Sequence, residues 1–323
     1  MPFTAFTVDI PPLSWKGRFD GEGSEHRRWW QAVSPYRRGH GTPALPSAAP
    51  VRRPAVILGF SSEAGVIRNK GRAGAAAGPA AIRTALGPLA YHLDREVFDA
   101  GDVTVKGGAL EAGQARAGLA ITEMLDAGNL TVLLGGGHET AFASYLGVAG
   151  SAAVRDGQRL GVLNLDAHFD LRDEPEPSSG TPFLQMAKAE EAAERELNYA
   201  VVGISEPNNT RALFNTAKQL GVKYLLDEDC TAEATRDFVA AFLDSVDVLY
   251  LTIDLDVLPA AVAPGVSAPA SYGVPLPVIS AVCRQVAASG KLFHLDVAEL
   301  NPKFDVDQCT AKVAARLVTT LLG

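Results

Sequence analysis

Four short stretches of the chain gather residues able to do chemistry at the ends of apolar runs. LNLDAHFDLR, residues 163–172, finishes in Asp166, His168 and Asp170. LTIDLDVLPAAVAPG carries Asp254 and Asp256, TVLLGGGHE carries His138, and KLFHLDVAELNP carries His294, Asp296 and Glu299. Alternate residues of a strand share a face and lie roughly 6 to 7 Å apart along it, so the spacing predicts that the acids and imidazoles of each stretch converge. Carboxylates clustered this way cost several kcal/mol per desolvated charge, of the order set by burying an ion, unless a counter-ion is present. A bound cation supplies it. Two imidazoles and four aspartates, with no cysteine among them, are hard oxygen donors with limited nitrogen, a set that suits manganese better than zinc. Six side chains are too many for one ion, whereas two ions about 3.5 Å apart can share bridging carboxylates and a water. Four aspartates then balance two divalent charges, and the shared water loses a proton near neutral pH to become a nucleophile.

Taken singly, each signal has a plainer reading. A histidine after glycines can be a cap or a surface residue, and Asp170 can cap the next helix. The proline-rich text after Asp256 starts no helix, which favours binding over capping for that pair. His294 and Asp296 lie inside an apolar run and read as satisfied core groups or as groups that support the ligands from behind. Glu299 emerges at the end of its run, where a free carboxylate could hold a cationic group of a substrate.

Positioning these residues requires strands whose carboxyl ends meet. From PAVILGF onward, apolar strand-like runs alternate with helix-length segments, which implies parallel crossovers, and their continuous apolarity implies a sheet covered on both faces. The expectation is a three-layer α/β/α domain over residues 54–323, with ligands bound beyond the carboxyl ends of the strands. Residues 1–53 read as an irregular segment packed on that domain, with EHRRWW in its middle and the tract GHGTPALPSAAPVRRPA at its end. The Trp29–Trp30 pair reads as packing for that segment.

Composition narrows the class further. The 323 residues are 47% hydrophobic with 29 Lys+Arg against 37 Asp+Glu, a net charge of -8. No basic cluster tracks a phosphate backbone, so nucleic acid is not an expected partner. Cys230, Cys283 and Cys309 form no CxxC spacing, which fits a reduced cytoplasm. The sequence has no continuous apolar stretch of membrane-spanning length and no export signal at its start, so neither membrane nor export is expected.

The motifs GGGHE, NLDAHFDLR, SSGTPF, LTIDLDVLPAAVAPGVSAP and DVAELNP together resemble, in order and spacing, those of the arginase, agmatinase and formimidoylglutamase superfamily. GGGHE in place of the GGDHS of many guanidino-specific relatives, Ser179 in SSGTPF in place of SHGTPF, and the stretches PNNTRALFNTA and GVSAPASYG resemble the formimidoylglutamase branch. The resemblance implies a mostly parallel eight-stranded sheet, assembly into homo-oligomers (trimers or hexamers) and two manganese ions. It implies His138, Asp166, Asp170 and Asp254 as ligands of one ion and Asp166, His168, Asp254 and Asp256 as ligands of the other. Hydrolysis of the C–N bond of N-formimidoyl-L-glutamate to L-glutamate and formamide is the implied activity. A metal-bridging hydroxide would attack the amidine carbon, Glu299 would orient the NH groups, and Asp170 would pass a proton to the departing nitrogen. The alternatives are a ureohydrolase acting on agmatine or a guanidino acid, a non-catalytic metal-binding relative, and an unrelated two-metal hydrolase. For the substrate carboxylates the candidates are Arg72, Arg172 and Ser179, with Arg211 set back in a predicted helix.

Overall fold

Seven buried, largely apolar runs and two more exposed edge strands pair into one sheet in the computed structural model, which describes residues 7–37 and 52–323. The strands are β1 (Ser34–Pro35), β2 (Ala55–Ser61), β3 (Val97–Thr104), β4 (Leu130–Leu134), β5 (Leu160–Leu165), β6 (Asn198–Ile204), β7 (Lys223–Leu226), β8 (Val248–Asp254) and β9 (Leu292–Ala298). Their order is β1-β3-β2-β4-β9-β8-β5-β6-β7, and every pairing is parallel. Eight strands come from residue 55 onward, as the family resemblance implies; the ninth is the two-residue β1 from the N-terminal segment.

Strand alternation divides the core in two. Ile57, Leu134, Leu163, Leu251 and Leu295 face one layer of helices, Gly78–Leu86, Ala232–Asp244, Leu276–Ala288 and Cys309–Leu322. Leu58, Leu133, Val162 and Tyr250 face the other, built on Leu110–Asp126, Thr140–Ala149 and Pro182–Ala192. Both faces being apolar is the reason these strands read as unbroken hydrophobic runs.

The N-terminal segment lies across the β3 edge of this sheet. Asp102 N donates to Ile10 O at 2.8 Å, and the Trp15 indole donates to Asp99 at 2.8 Å. Arg83 neutralises Asp99 and Asp102 at 2.9 and 2.6 Å. Trp29 is fully buried, stacked on Trp15 with ring centroids 6.3 Å apart and edge-on to Tyr91 at 5.6 Å. Trp30 donates to Arg18 O at 2.9 Å instead of turning inward. Most of the tract GHGTPALPSAAPVRRPA lies outside the described residues.

Replacing a fully buried indole by a methyl group costs about 3 to 5 kcal/mol. Trp29→Ala should therefore lower the unfolding free energy from a urea denaturation series by that amount, and a loss of less than about 1 kcal/mol would show that the N-terminal packing contributes little.

Candidate metal centre

The four strands that carry the predicted chemistry are neighbours in the middle of the sheet, in the order β4-β9-β8-β5. Their carboxyl ends deliver His138, Glu299, Asp254 with Asp256, and Asp166 with His168 and Asp170. His138, Asp166, Asp170 and Asp254 each offer a ligand atom within 4.8 Å of the others, and Asp166, His168 and Asp256 form a second such group. Asp166 belongs to both groups, whereas Asp254 falls in the first alone. A cavity of about 320 Å³ opens over them, lined by His138, His168, Asp170, Asp254, Asp256 and Glu299.

The convergence is achieved differently from the strand alternation read in the sequence. β5 ends at Leu165, before the first aspartate. Asp166 Oδ1 then accepts from the His168 backbone N–H at 2.7 Å, and Asp254 Oδ1 accepts from Asp256 N at 2.8 Å. Each is a carboxylate bonding the backbone two residues on, the turn that Asp favours. Asp170 adopts a left-handed conformation with φ 47°, and Glu299 does so with φ 69°. Asn209 clamps the resulting loop, accepting from Phe169 N at 3.1 Å and donating to Ala167 O at 2.9 Å. The glycines before His138 also serve another purpose than a tight turn: a Cβ on Gly136 would sit 1.7 Å from the Ser62 carbonyl oxygen, so the bare backbone lets two loops pass.

Electrostatics shows what the site lacks. His138 Nδ1 lies 3.1, 2.9 and 3.3 Å from oxygens of Asp166, Asp170 and Asp254. Burial opposes its charge, but those carboxylates raise its pKa well above the usual imidazole value. His168 is raised in the same way, against burial, by Asp256 and Asp166. Burial is also the main force on Asp170, which is pushed up to about 6 with help from the Asp166 charge. Asp254 is raised by burial and then by Asp256 and Asp166. Only Asp166 is lowered: against its burial, hydrogen bonds from His138 and His168 favour its charged form. Burial and mutual charge thus make this set of donors too acidic to stand together without positive charge among them. Glu299 Oε1 accepts from the His138 N–H at 2.8 Å, while its Oε2 is buried without a partner. Hard oxygen donors, two imidazoles, excess negative charge and an orphan carboxylate oxygen together fit a pair of divalent cations.

A hydrogen-bond chain behind His138 sets its tautomer. Ser144 and Tyr250 hydroxyls each donate to Asp296 at 2.5 Å, and Thr252 donates to its other oxygen at 2.6 Å. With its proton given to Asp296, Thr252 Oγ1 accepts from His138 Nε2 at 2.9 Å. The Nε2–H is thereby fixed, leaving Nδ1 free to face the aspartates. Phe183 packs edge-on against the same ring at 5.4 Å. His294, read in the sequence as a core residue, is buried with Nδ1 2.6 Å from Thr131 Oγ1.

The proposed substrate contacts all border the cavity, although their environments differ. Arg172 is exposed, and Ser179 Oγ accepts from Asn69 Nδ2 at 3.0 Å. The Arg72 guanidinium donates to the Ser267 carbonyl at 3.0 Å and to that of Val266, and lies 4.0 Å over the Phe304 ring. Arg211 is not among the lining residues, which do include Asn69, Lys70 and Asn208. Sequence reading passed over those three and Glu139. Glu139 anchors the loop after β2, accepting from Ser62 Oγ at 2.6 Å and Gly65 N at 2.9 Å. The unusual acid of GGGHE was the available signal for it.

Fold and site together define a member of the arginase family: the family profile matches residues 53–323, and the chain belongs to that family. Within it, the chain is 56% identical to the formimidoylglutamase of Nocardia farcinica over 308 residues, 95% of each protein. It is 55% identical to that of Rhodococcus jostii over 312 residues, covering 96% of this chain and 94% of the other. Among solved structures, Trypanosoma cruzi formiminoglutamase with Mn2+ has a TM-score of 0.76 at 23% identity, covering 92% of this chain and 97% of that one. The Bacillus subtilis formimidoylglutamase has a TM-score of 0.76 at 18% identity, with 99% and 94% covered.

The pKa shifts set a sign for the metal-free protein. Asp170 and Glu299 are raised by burial, to about 6 and about 8, so the folded form holds protons that the unfolded form has released. The raised histidines act in the same direction above their unfolded value of about 6.5. Stability of the chelator-treated protein should therefore fall as pH rises from about 5 to about 8, and saturating Mn(II) should reverse the trend. A chelator-treated protein whose melting temperature climbs across that range would contradict this assignment of protons. Removing the Thr252 hydroxyl frees the His138 tautomer, so Thr252→Val should weaken Mn(II) uptake in a calorimetric titration by about 10- to 100-fold. Unchanged affinity would show that the chain behind His138 is idle.

Proposed function

We propose that this chain is a manganese-dependent formimidoylglutamase, which adds water across the C–N bond of N-formimidoyl-L-glutamate to give L-glutamate and formamide. The reading is carried by one conjunction: six donors gathered into two ligand-sized groups, in a chain 42–56% identical to proteins named formimidoylglutamase. His138, Asp166, Asp170 and Asp254 would hold one manganese ion; Asp166, His168 and Asp256, with Asp254, would hold the other. When bound, the pair of ions lowers the pKa of a water and offsets negative charge that develops during attack.

The side chains supply the rest. Glu299, pinned at Oε1 by the His138 N–H, presents Oε2 to an N–H of the amidinium group and so orients the planar carbon. Pairing with that cation favours the ionised carboxylate, countering the burial that raises it. As the carbon takes up oxygen, the C–N bond to glutamate breaks and Asp170 passes a proton to the leaving nitrogen. That proton comes from the attacking water, and Asp170 suits the task because it lines the cavity where both ends of the transfer meet. For the substrate carboxylates, Arg172, Lys70 and Ser179 at the cavity wall are the contacts we assign. Arg72, its guanidinium engaged by two backbone carbonyls, completes that wall and braces the Ser267 loop. A homotrimer or hexamer in the cytoplasm belongs to the same proposal. It draws support from the family resemblance, and from three cysteines that are all free. No helix among the described residues is long and apolar enough to cross a membrane.

Manganese-reconstituted protein should release formamide from N-formimidoyl-L-glutamate and no urea from arginine, agmatine or guanidino acids. Urea as the main product would move the assignment to the ureohydrolases. Glu299→Gln should keep its metal while losing about 10²- to 10³-fold in kcat, the scale of removing one preorganised electrostatic contact. A variant with full turnover would remove Glu299 from the reaction.

A further inference from the structure

We infer that a second binding site, for a small polyvalent oxyanion, lies at the end of the sheet opposite the metal centre. A cavity of about 300 Å³ opens there, with Arg52, Arg53 and Arg95 on one side and Leu130, Leu292 and Leu321 among its apolar walls. Leu130 and Leu292 are the first residues of β4 and β9, so the cavity sits at the amino ends of the two strands whose other ends lead to His138 and Glu299.

Three guanidinium groups share this space with no aspartate or glutamate side chain paired to them among the described residues. Several arginines elsewhere in the fold are matched by acids: Arg83 with Asp99 and Asp102, Arg68 with Glu111, Arg195 with Glu190. Arg53 and Arg95 form no ion pair among the described residues, and the ionic contact open to Arg52 is with the last residue, Gly323. Residues 1–6 and 38–51 contain no Asp or Glu that could supply one. Arg52 donates to an oxygen of Gly323, the last residue of the sequence, and Arg53 lies 5.7 Å over the Phe293 ring. Arg95 Nε is buried with no hydrogen-bond partner. Burial, with the charges of Arg52 and Arg53, lowers the Arg95 pKa, as expected for cations left to repel one another.

An oxyanion answers each of these deficits. Guanidinium groups bind carboxylate, phosphate or sulfate through paired N–H donors, and Arg95 Nε is one such donor held ready. The positive charge left on Arg53 and Arg95, beside Arg52, favours a ligand with more than one negative charge. The volume is that of a small-molecule pocket, and the leucine wall can take a short hydrocarbon body. Carboxylate and tetrahedral oxyanions share this chemistry and are separated by experiment.

The test is calorimetric titration of the full, manganese-loaded protein with succinate and with sulfate, at ionic strength held constant by NaCl. Saturable one-to-one binding of at least one probe is expected, and whichever binds more tightly identifies the ligand class. Arg95→Gln should weaken that binding by about tenfold or more, the scale of losing a charge-assisted contact, with turnover in the absence of the anion unchanged. Arg53→Gln, at an exposed position, should also weaken it and serves where Arg95→Gln fails to fold. Absence of saturable binding for both probes would overturn the site. So would binding that survives both arginine substitutions but is lost in Asp254→Ala, since that would place the anion at the metal centre.

Discussion

Mutual repulsion among carboxylates at the end of one sheet is the constraint on which the rest of this structure turns. Two unit charges 4 Å apart repel by about 4 kcal/mol at an effective dielectric constant of 20, and here four aspartates and a glutamate meet in a largely buried space. Something positive must enter. Burial and the neighbouring charges favour the protonated forms of both imidazoles and of Asp170, Asp254 and Glu299, so proton and cation compete for the same place. The His138 Nδ1 atom, within 3.3 Å of three carboxylates, is the place where proton and cation compete most directly.

Much of the surrounding architecture keeps those charges from escaping the conflict by moving apart. Two carboxylate-to-backbone turns replace the pleat at the ends of β5 and β8. Asn209 holds the loop between Asp166 and Asp170 from the side, Asp296 acts through Thr252 on His138, and Glu139 anchors the loop after β2. The cost of these buried polar groups is offset by two extensive apolar layers, each packed against one face of the same strands. A sheet apolar on both faces and charged at one end concentrates its chemistry in one place.

The parallel, doubly covered sheet was legible because helix-length crossovers and unbroken apolar runs leave few other folds. The donors were legible because alternating acids at the ends of such runs have few structural uses. The mechanism of their convergence was not: alternation along a strand and a turn closed by an aspartate both bring residues i and i+2 together, and the sequence pattern is the same for both. β1 escaped notice because a two-residue strand leaves no periodicity to read. Lys70, Asn69 and Asn208 were missed since lone polar residues in loops carry no spacing signal, and only the folded chain brings them to the cavity. Arg72, read as reaching for substrate, lines the cavity with its guanidinium on two backbone carbonyls and an aromatic ring.

The central claim, that shared cations resolve the repulsion, is tested most directly by anomalous diffraction at the manganese edge from crystals grown with Mn(II). Two peaks are expected in each subunit, one among His138, Asp166, Asp170 and Asp254 and one among Asp166, His168 and Asp256. A single peak, no peak, or manganese bound away from these side chains would contradict it.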